Sequence, residues 1–91
     1  MRQYIMEMLG ALFLTLAITL TGNALAIGDM FAVLVYIGAH ISGAHYNPAV
    51  SLAVWMRKGI KTDELVKYVG VQIVGALLAA DLATAGTRPR R

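Results

Sequence analysis

The polar side chains of this chain that could do chemistry stand mostly inside apolar sequence. Glu7 is the only charge between Tyr4 and Leu20, His40 and His45 stand five positions apart, Asn47 directly precedes Pro48, and Gln72 lies in a later apolar run. A histidine pair can hold a metal, but no third ligand lies near it in the sequence. No nucleophile, base and acid stand together, and no phosphate-binding loop is present. Neither an enzyme nor a cofactor is expected. What remains is hydrogen bonding at a helix start. Asn is a preferred N-cap, because its side-chain oxygen accepts an orphan backbone N–H. Pro at the first helical position has no N–H to leave unpaired and a preset φ. Asn47-Pro48 therefore predicts a helix from residue 48, after irregular backbone over Ser42-Gly43-Ala44-His45-Tyr46.

The elements that must position these residues are apolar runs. The first goes from Tyr4 to about Leu20 and ends at the turn signal Thr21-Gly22-Asn23. The second goes from Ala24 to Ile41, and the third from Leu65 to about Ala85. A spanning helix needs about 20 residues. Helices are predicted at about 4–21, 24–41 and 63–83, the second so short that it must stand nearly upright or thin the bilayer. Between them, Ala49 to Met56 is apolar and ends at Arg57-Lys58-Gly59. Those cations complement a helix dipole, and Gly59 is expected as the C-cap. The predicted half-helix, about 48–58, is roughly 16 Å long, half of the ~30 Å hydrocarbon core. A capped polar start and a basic end fit a re-entrant element. Irregular backbone at membrane depth is tolerated only where it is buried in protein or lines a water-filled cavity.

The bulk numbers agree. Of 91 residues, 58% are hydrophobic and 14% charged, with a mean hydropathy of +0.66. A soluble domain of this size carries about 45–50% apolar residues. There are no cysteines, which excludes a disulfide scaffold. The net charge of +3 comes from Lys and Arg at the ends of apolar runs, the pattern of a membrane protein rather than of a nucleic-acid binder. Met1-Arg2-Gln3 before an apolar run mimics a signal peptide, but the run continues to about Ala26 and more membrane-grade sequence follows. The fold class expected is an all-α membrane protein with three transmembrane helices and one re-entrant half-helix.

The stretch His40-Ile41-Ser42-Gly43-Ala44-His45-Tyr46-Asn47-Pro48-Ala49-Val50-Ser51-Leu52-Ala53 resembles the first Asn-Pro-Ala box of the aquaporin and glycerol-facilitator family. Glu7 with Gly10 resembles the family's first helix, and Tyr68, Gln72, Gly75 and Ala76 its third. The resemblance reads up to about Leu82, so that 1–82 is expected as one half-repeat and 83–91 as a disordered basic tail. It implies a passive channel built from two inverted repeats whose half-helices meet head to head. Asn47 is then a donor to permeating water or glycerol-sized solutes, with Pro48 and Ala49 joining the half-helices. Carbonyls of Gly43, Ala44, His45 and Tyr46 would line the vestibule, and Ile27 would lie toward the filter. Positive helix ends would repel cations. Glu7 either snorkels to the headgroups or, as the resemblance favours, accepts backbone N–H groups of the re-entrant loop, with Gln72 in a similar part. His40 and His45 are assigned to packing and vestibule hydrogen bonding, with His45 orienting the loop.

The sequence departs from the family pattern in holding one repeat, in Val50 where a second repeat carries arginine, in Ala11 where threonine is common, and in its tail. With Met1 in the cytoplasm, the Lys and Arg bias is weak enough for both orientations. Two opposed copies, an antiparallel homodimer, would recreate the inverted repeat; a separate half-channel protein is the other route. A non-conducting truncated remnant or an accessory membrane subunit is the competing reading. The expected location is the bilayer, as the plasma (inner) membrane of a prokaryote. Trp55 and Tyr4 are expected as interfacial anchors, Asp29 and Asp81 at the far interface, and Gly75, Ala79 and Ala83, with Ala76 and Ala80, at helix contacts.

Overall fold

The computed structural model describes residues 1–87. Four helices follow in order: α1 (Arg2–Thr21), α2 (Ala24–Ser42), α3 (Pro48–Met56) and α4 (Thr62–Thr87), with no strand among the described residues. At 1.5 Å per residue, α1, α2 and α4 reach about 30, 28 and 39 Å, and α3 only about 13 Å. The three long ones are apolar and long enough to cross a bilayer, and the chain is an all-α membrane protein.

Each helix end has a local cause. Gly22 closes α1 in the left-handed conformation, φ 58°, its N–H returning to Ile18 O. The next residue, Asn23, opens α2 as its N-cap, with Oδ1 accepting from Ala26 N at 3.0 Å. Two residues thus turn α1 into an antiparallel α2. The end of α3 differs from the expected helix over 48–58 capped by Gly59. The helix stops at Met56 with Arg57 as C-cap, Lys58 takes the left-handed conformation at φ 62°, and N–H groups of Lys58 and Gly59 return to Trp55 O and Val54 O. This is the double-bonded Schellman closure, which sets the left-handed residue one position before the glycine. Gly59 is needed for packing instead, since a Cβ there would lie 2.7 Å from Val54 Cγ1. At α4, Glu64 Oε1 accepts from Lys61 N at 3.1 Å, one arm of a capping box. α4 runs past the expected end at 83: Ala83 is buried, and Thr84 Oγ1 donates back to Ala80 O. Residues 83–87 are therefore helix rather than disordered tail, and 88–91 lie outside the described residues.

α1 is the centre, packed on α2 and α4, while α3 packs on α4. α1 and α4 run parallel, because their contacts climb together. The rings of Tyr4 and Tyr68 lie 5.6 Å apart edge to face, Glu7 bonds Gln72, and a Cβ on Gly75 would meet the carbonyl of Met8 and lie 3.2 Å from Leu12 N. Gly75, Ala79 and Ala83 are the buried stripe of α4, whereas Ala76 is half-buried and Ala80 exposed. Small residues there let two backbones touch.

The interior is the polar part. The largest fully buried side chains are Gln72, Glu7 and Ser51, while Leu25, Tyr36, Leu77 and Leu82 are exposed. In water this distribution would be costly, but lipid tails are as apolar as leucine and solvate those side chains. Arg2, Arg57, Lys58, Lys61 and Lys67 gather where α1 and α4 begin and α2 and α3 end, and Asp29 and Asp81 lie toward the other end.

Candidate functional site

The loop between α2 and α3 is the part of the backbone that no helix satisfies. Gly43 closes α2 at φ 85° with its N–H on Ala39 O. Ala44 and Tyr46 then also take left-handed values, φ 55° and 57°. For residues with a Cβ this conformation costs roughly 1–2 kcal/mol each, so the surroundings must impose it.

They do so from four helices. Glu7 of α1, fully buried, accepts His45 N (3.1 Å) and Ser42 Oγ (2.6 Å) on Oε2, and Tyr46 N (2.8 Å) and Gln72 Nε2 (2.7 Å) on Oε1. A carboxylate is all acceptor, and here every neighbour is a donor. Ser42 Oγ in turn accepts Ala44 N at 3.2 Å. From α4, Tyr68 OH donates to Ser42 O at 2.7 Å, and Gln72 Nε2 also reaches Ser51 Oγ of α3 at 2.8 Å. Ser51 Oγ is 2.9 Å from His45 Nδ1, and the His45 ring packs edge-on against Tyr68 at 5.0 Å. Gln72 Oε1 is buried without a partner among the described residues. Turning the amide over would put this oxygen against the Glu7 carboxylate, so Glu7 sets which way the amide points and the orphan is the consequence.

Tyr46 is the bolt. Its ring enters between α1 and α2, and its OH donates to Leu34 O at 2.6 Å. Space for it comes from two glycines: a Cβ on Gly10 would overlap the ring, and one on Gly38 would overlap the hydroxyl. Leu34, Ala44 and Tyr46 form the small apolar cluster beneath.

At the top of α3 sits Asn47, exposed and extended at φ −151°. Its Oδ1 accepts Ala49 N at 2.7 Å, and its carbonyl accepts Ser51 N at 3.1 Å. The cap uses the amide oxygen and leaves the two Nδ2 hydrogens without a partner among the described residues. Pro48, Ala49 and Val50 are exposed beside it. The carbonyls of Gly43 to Tyr46 likewise accept no hydrogen bond among the described residues. Nothing here resembles a metal centre: among the described residues no three His, Asp or Glu side chains converge.

Of the residues singled out in the sequence, Glu7, Gln72, Ala44, His45 and Tyr46 meet in one buried network, and Gly43, Asn47, Pro48 and Ala49 form its exposed rim. Ile27 stands apart, in the first turn of α2, about 22 Å along the axis from Ser42. His40 is exposed near the end of α2. Sequence reasoning missed the parts of Ser51, Gly38 and the Tyr68 hydroxyl. Glycines inside helical apolar runs, as at Gly10 and Gly38, were the available signal of close approach.

Comparison with known proteins carries the same sense. The chain is 37% identical over 70 residues to Aquaporin Z of Photorhabdus laumondii, covering 77% of this chain and 30% of that protein. It is 36% identical over 89 residues to glycerol uptake facilitator protein-like 6 of Lactiplantibacillus plantarum, covering 88% of this chain and 41% of the relative. The glycerol uptake facilitator protein of Pseudomonas aeruginosa is 46% identical over 48 residues, 53% of this chain and 17% of that one. The chain thus spans well under half the length of these curated relatives. No solved structure matches it. The family model described as Major intrinsic protein aligns with residues 2–90, which extends past Leu82, the expected end of the resemblance. With nearly the whole chain under that family's pattern, the protein belongs to the major intrinsic protein family.

Proposed function

We propose that this chain supplies one half of a passive channel for water or small neutral solutes such as glycerol, with Asn47 as the hydrogen-bond donor in the pore. The observation that carries this reading is the division of labour in the Asn47 amide. Its oxygen is bound into the helix cap, so only N–H donors face outward. They sit on the positive end of α3, where roughly half an elementary charge repels cations. The partnerless carbonyls of Gly43 to Tyr46 supply the matching row of acceptors. A neutral solute that donates and accepts satisfies both; an ion does not.

A second half must complete the wall opposite Asn47. A second copy inserted in the opposite sense would supply it with the same residues, as an antiparallel homodimer, and a separate half-channel protein is another source. The relatives' names, aquaporin and glycerol uptake facilitator, support the solute class. In the copy that follows the tendency of Lys and Arg to stay inside, the basic end would face the cytoplasm, which fits the plasma (inner) membrane of a prokaryote.

The test is osmotic shrinkage of liposomes holding the purified chain, followed by light scattering. Asn47→Asp keeps an oxygen for the cap and replaces both donors with a second acceptor, so insertion and helicity should persist while flux falls to that of empty vesicles. Asn47→Ala removes the cap as well, and should also cost about 1 kcal/mol of stability. If inserted wild type shrinks no faster than empty vesicles, the homodimer channel is wrong. A partner half, a non-conducting remnant or an accessory subunit is then the reading to pursue.

A further inference from the structure

We propose that the cleft between the end of α3 and the start of α4 is a docking site for the headgroup of an anionic phospholipid in the leaflet at that end. The cleft measures about 740 Å³ and is lined by Trp55, Met56, Lys58, Lys61 and Glu64 among others. Its two lysines both stand on backbone fixed by hydrogen bonds. Lys58 is the left-handed residue of the Schellman turn, and Lys61 is the residue whose N–H caps onto Glu64. That bond engages Glu64 Oε1, so the acid in the wall serves the helix start. Arg57 and Asp63, each next in the chain to a lining residue, are exposed and offset one another in charge.

The apolar half of the cleft selects a lipid over a free anion. Trp55 Nε1 donates to Thr62 Oγ1 at 3.1 Å, tying the indole of α3 to the first residue of α4. Indoles settle at headgroup level. Met56, 70% exposed, stands beside it as a surface for an acyl chain. A phosphodiester on Lys58 and Lys61, with its chain along Met56, would bridge the surface end of the half-helix to the third spanning helix. The proposal needs the chain to sit in a bilayer, not to conduct, so it stands or falls apart from the channel.

Trp55 is the only tryptophan, so its emission reports on this cleft alone. The full chain in neutral phosphatidylcholine nanodiscs would be titrated with short-chain phosphatidylglycerol, short-chain phosphatidylcholine and sodium phosphate. The expected result is a saturable emission shift with phosphatidylglycerol only. Lys58→Gly, which suits the left-handed backbone, and Lys61→Gln should each weaken binding about fivefold, and together about 25-fold, the factor for one cation each at an anionic leaflet. Lys61→Arg should keep binding within twofold, and so should Lys67→Gln, a cation elsewhere at the same end, over the Tyr4 ring. An equal response to phosphatidylcholine, or an equal loss in Lys67→Gln, would overturn the site as unspecific attraction. A response to sodium phosphate at the same concentration would overturn the lipid as its occupant.

Discussion

Replacing Glu7 with Gln removes one acceptor atom from a group that needs both. The side chain is fully buried, so water cannot substitute. If the new NH2 takes the place of Oε1, it faces Tyr46 N and Gln72 Nε2. Gln72 can turn over and offer its orphaned Oε1, but the Tyr46 N–H is then left facing a donor. If the NH2 takes the place of Oε2, it faces Ser42 Oγ and His45 N. Ser42 can rotate and accept, but the His45 N–H is stranded. Either way one buried backbone N–H loses its partner, at about 1–3 kcal/mol. The cost falls on the loop rather than on the whole bundle, because the α1–α4 seam at Gly75 is untouched. Amide hydrogen exchange in detergent micelles reads this directly. His45 and Tyr46 amides should exchange roughly 5- to 150-fold faster in Glu7→Gln than in wild type, since about 1.4 kcal/mol is tenfold. Amides in the middle of α4 should keep their rates within about twofold. Unchanged exchange at both His45 and Tyr46 would refute the reasoning: the loop would then be held by something other than this carboxylate.

Gly38→Ala should lower stability by about 1–3 kcal/mol, because the new Cβ overlaps the Tyr46 hydroxyl. Tyr46→Phe alone should cost about 1 kcal/mol for the bond to Leu34 O. Together the two should cost less than their sum, since removing the hydroxyl leaves the ring carbon Cζ 3.1 Å from the Cβ; thermal unfolding in detergent tests this coupling. Gly75→Leu should destabilise by about 1–3 kcal/mol or more, because the opposing atoms are the Met8 and Leu12 backbone and cannot turn aside. Ala80→Leu, one position past buried Ala79 and exposed to lipid, should be neutral in the same assay.

What could be read from the sequence was what is encoded locally. Hydrophobic runs of spanning length mark α1, α2 and α4, and Asn47-Pro48 marks the start of α3 by a capping mechanism that involves only neighbouring residues. The ends were harder. Gly59 looked like the left-handed cap of α3, yet that conformation falls on Lys58, because the bonds to Trp55 O and Val54 O fix the register and packing on Val54 claims the glycine. At Ala83 and Thr84, the small and polar composition that read as tail is what close packing and a bond to Ala80 O require. The loop network was least legible of all. Glu7 bonds partners 35 to 65 positions away, and nothing in its own surroundings names Ser42 or Gln72. Tyr46 looks like an ordinary aromatic until the glycines at 10 and 38, on two different helices, are seen to face one ring.

The network also sets what the loop can offer a solute. Its N–H groups are spent inward: Ala44 on Ser42 Oγ, His45 and Tyr46 on the two oxygens of Glu7. The carbonyls of the same residues find no donor among the described residues. Hydrocarbon has none to give, and an unsatisfied polar group there costs several kcal/mol. A loop with its donors sealed and its acceptors unpaired is thus costly in a dry membrane, and in the proposed channel water would satisfy it. The left-handed backbone at Ala44 and Tyr46, costing about 2–4 kcal/mol together, is what turns the donors toward Glu7. In the proposed channel, the buried carboxylate and the row of carbonyls offered to solute are therefore two consequences of one backbone choice. If the proposed channel forms, Glu7→Gln, at a buried position away from the exposed rim, should reduce solute flux as well as loop protection.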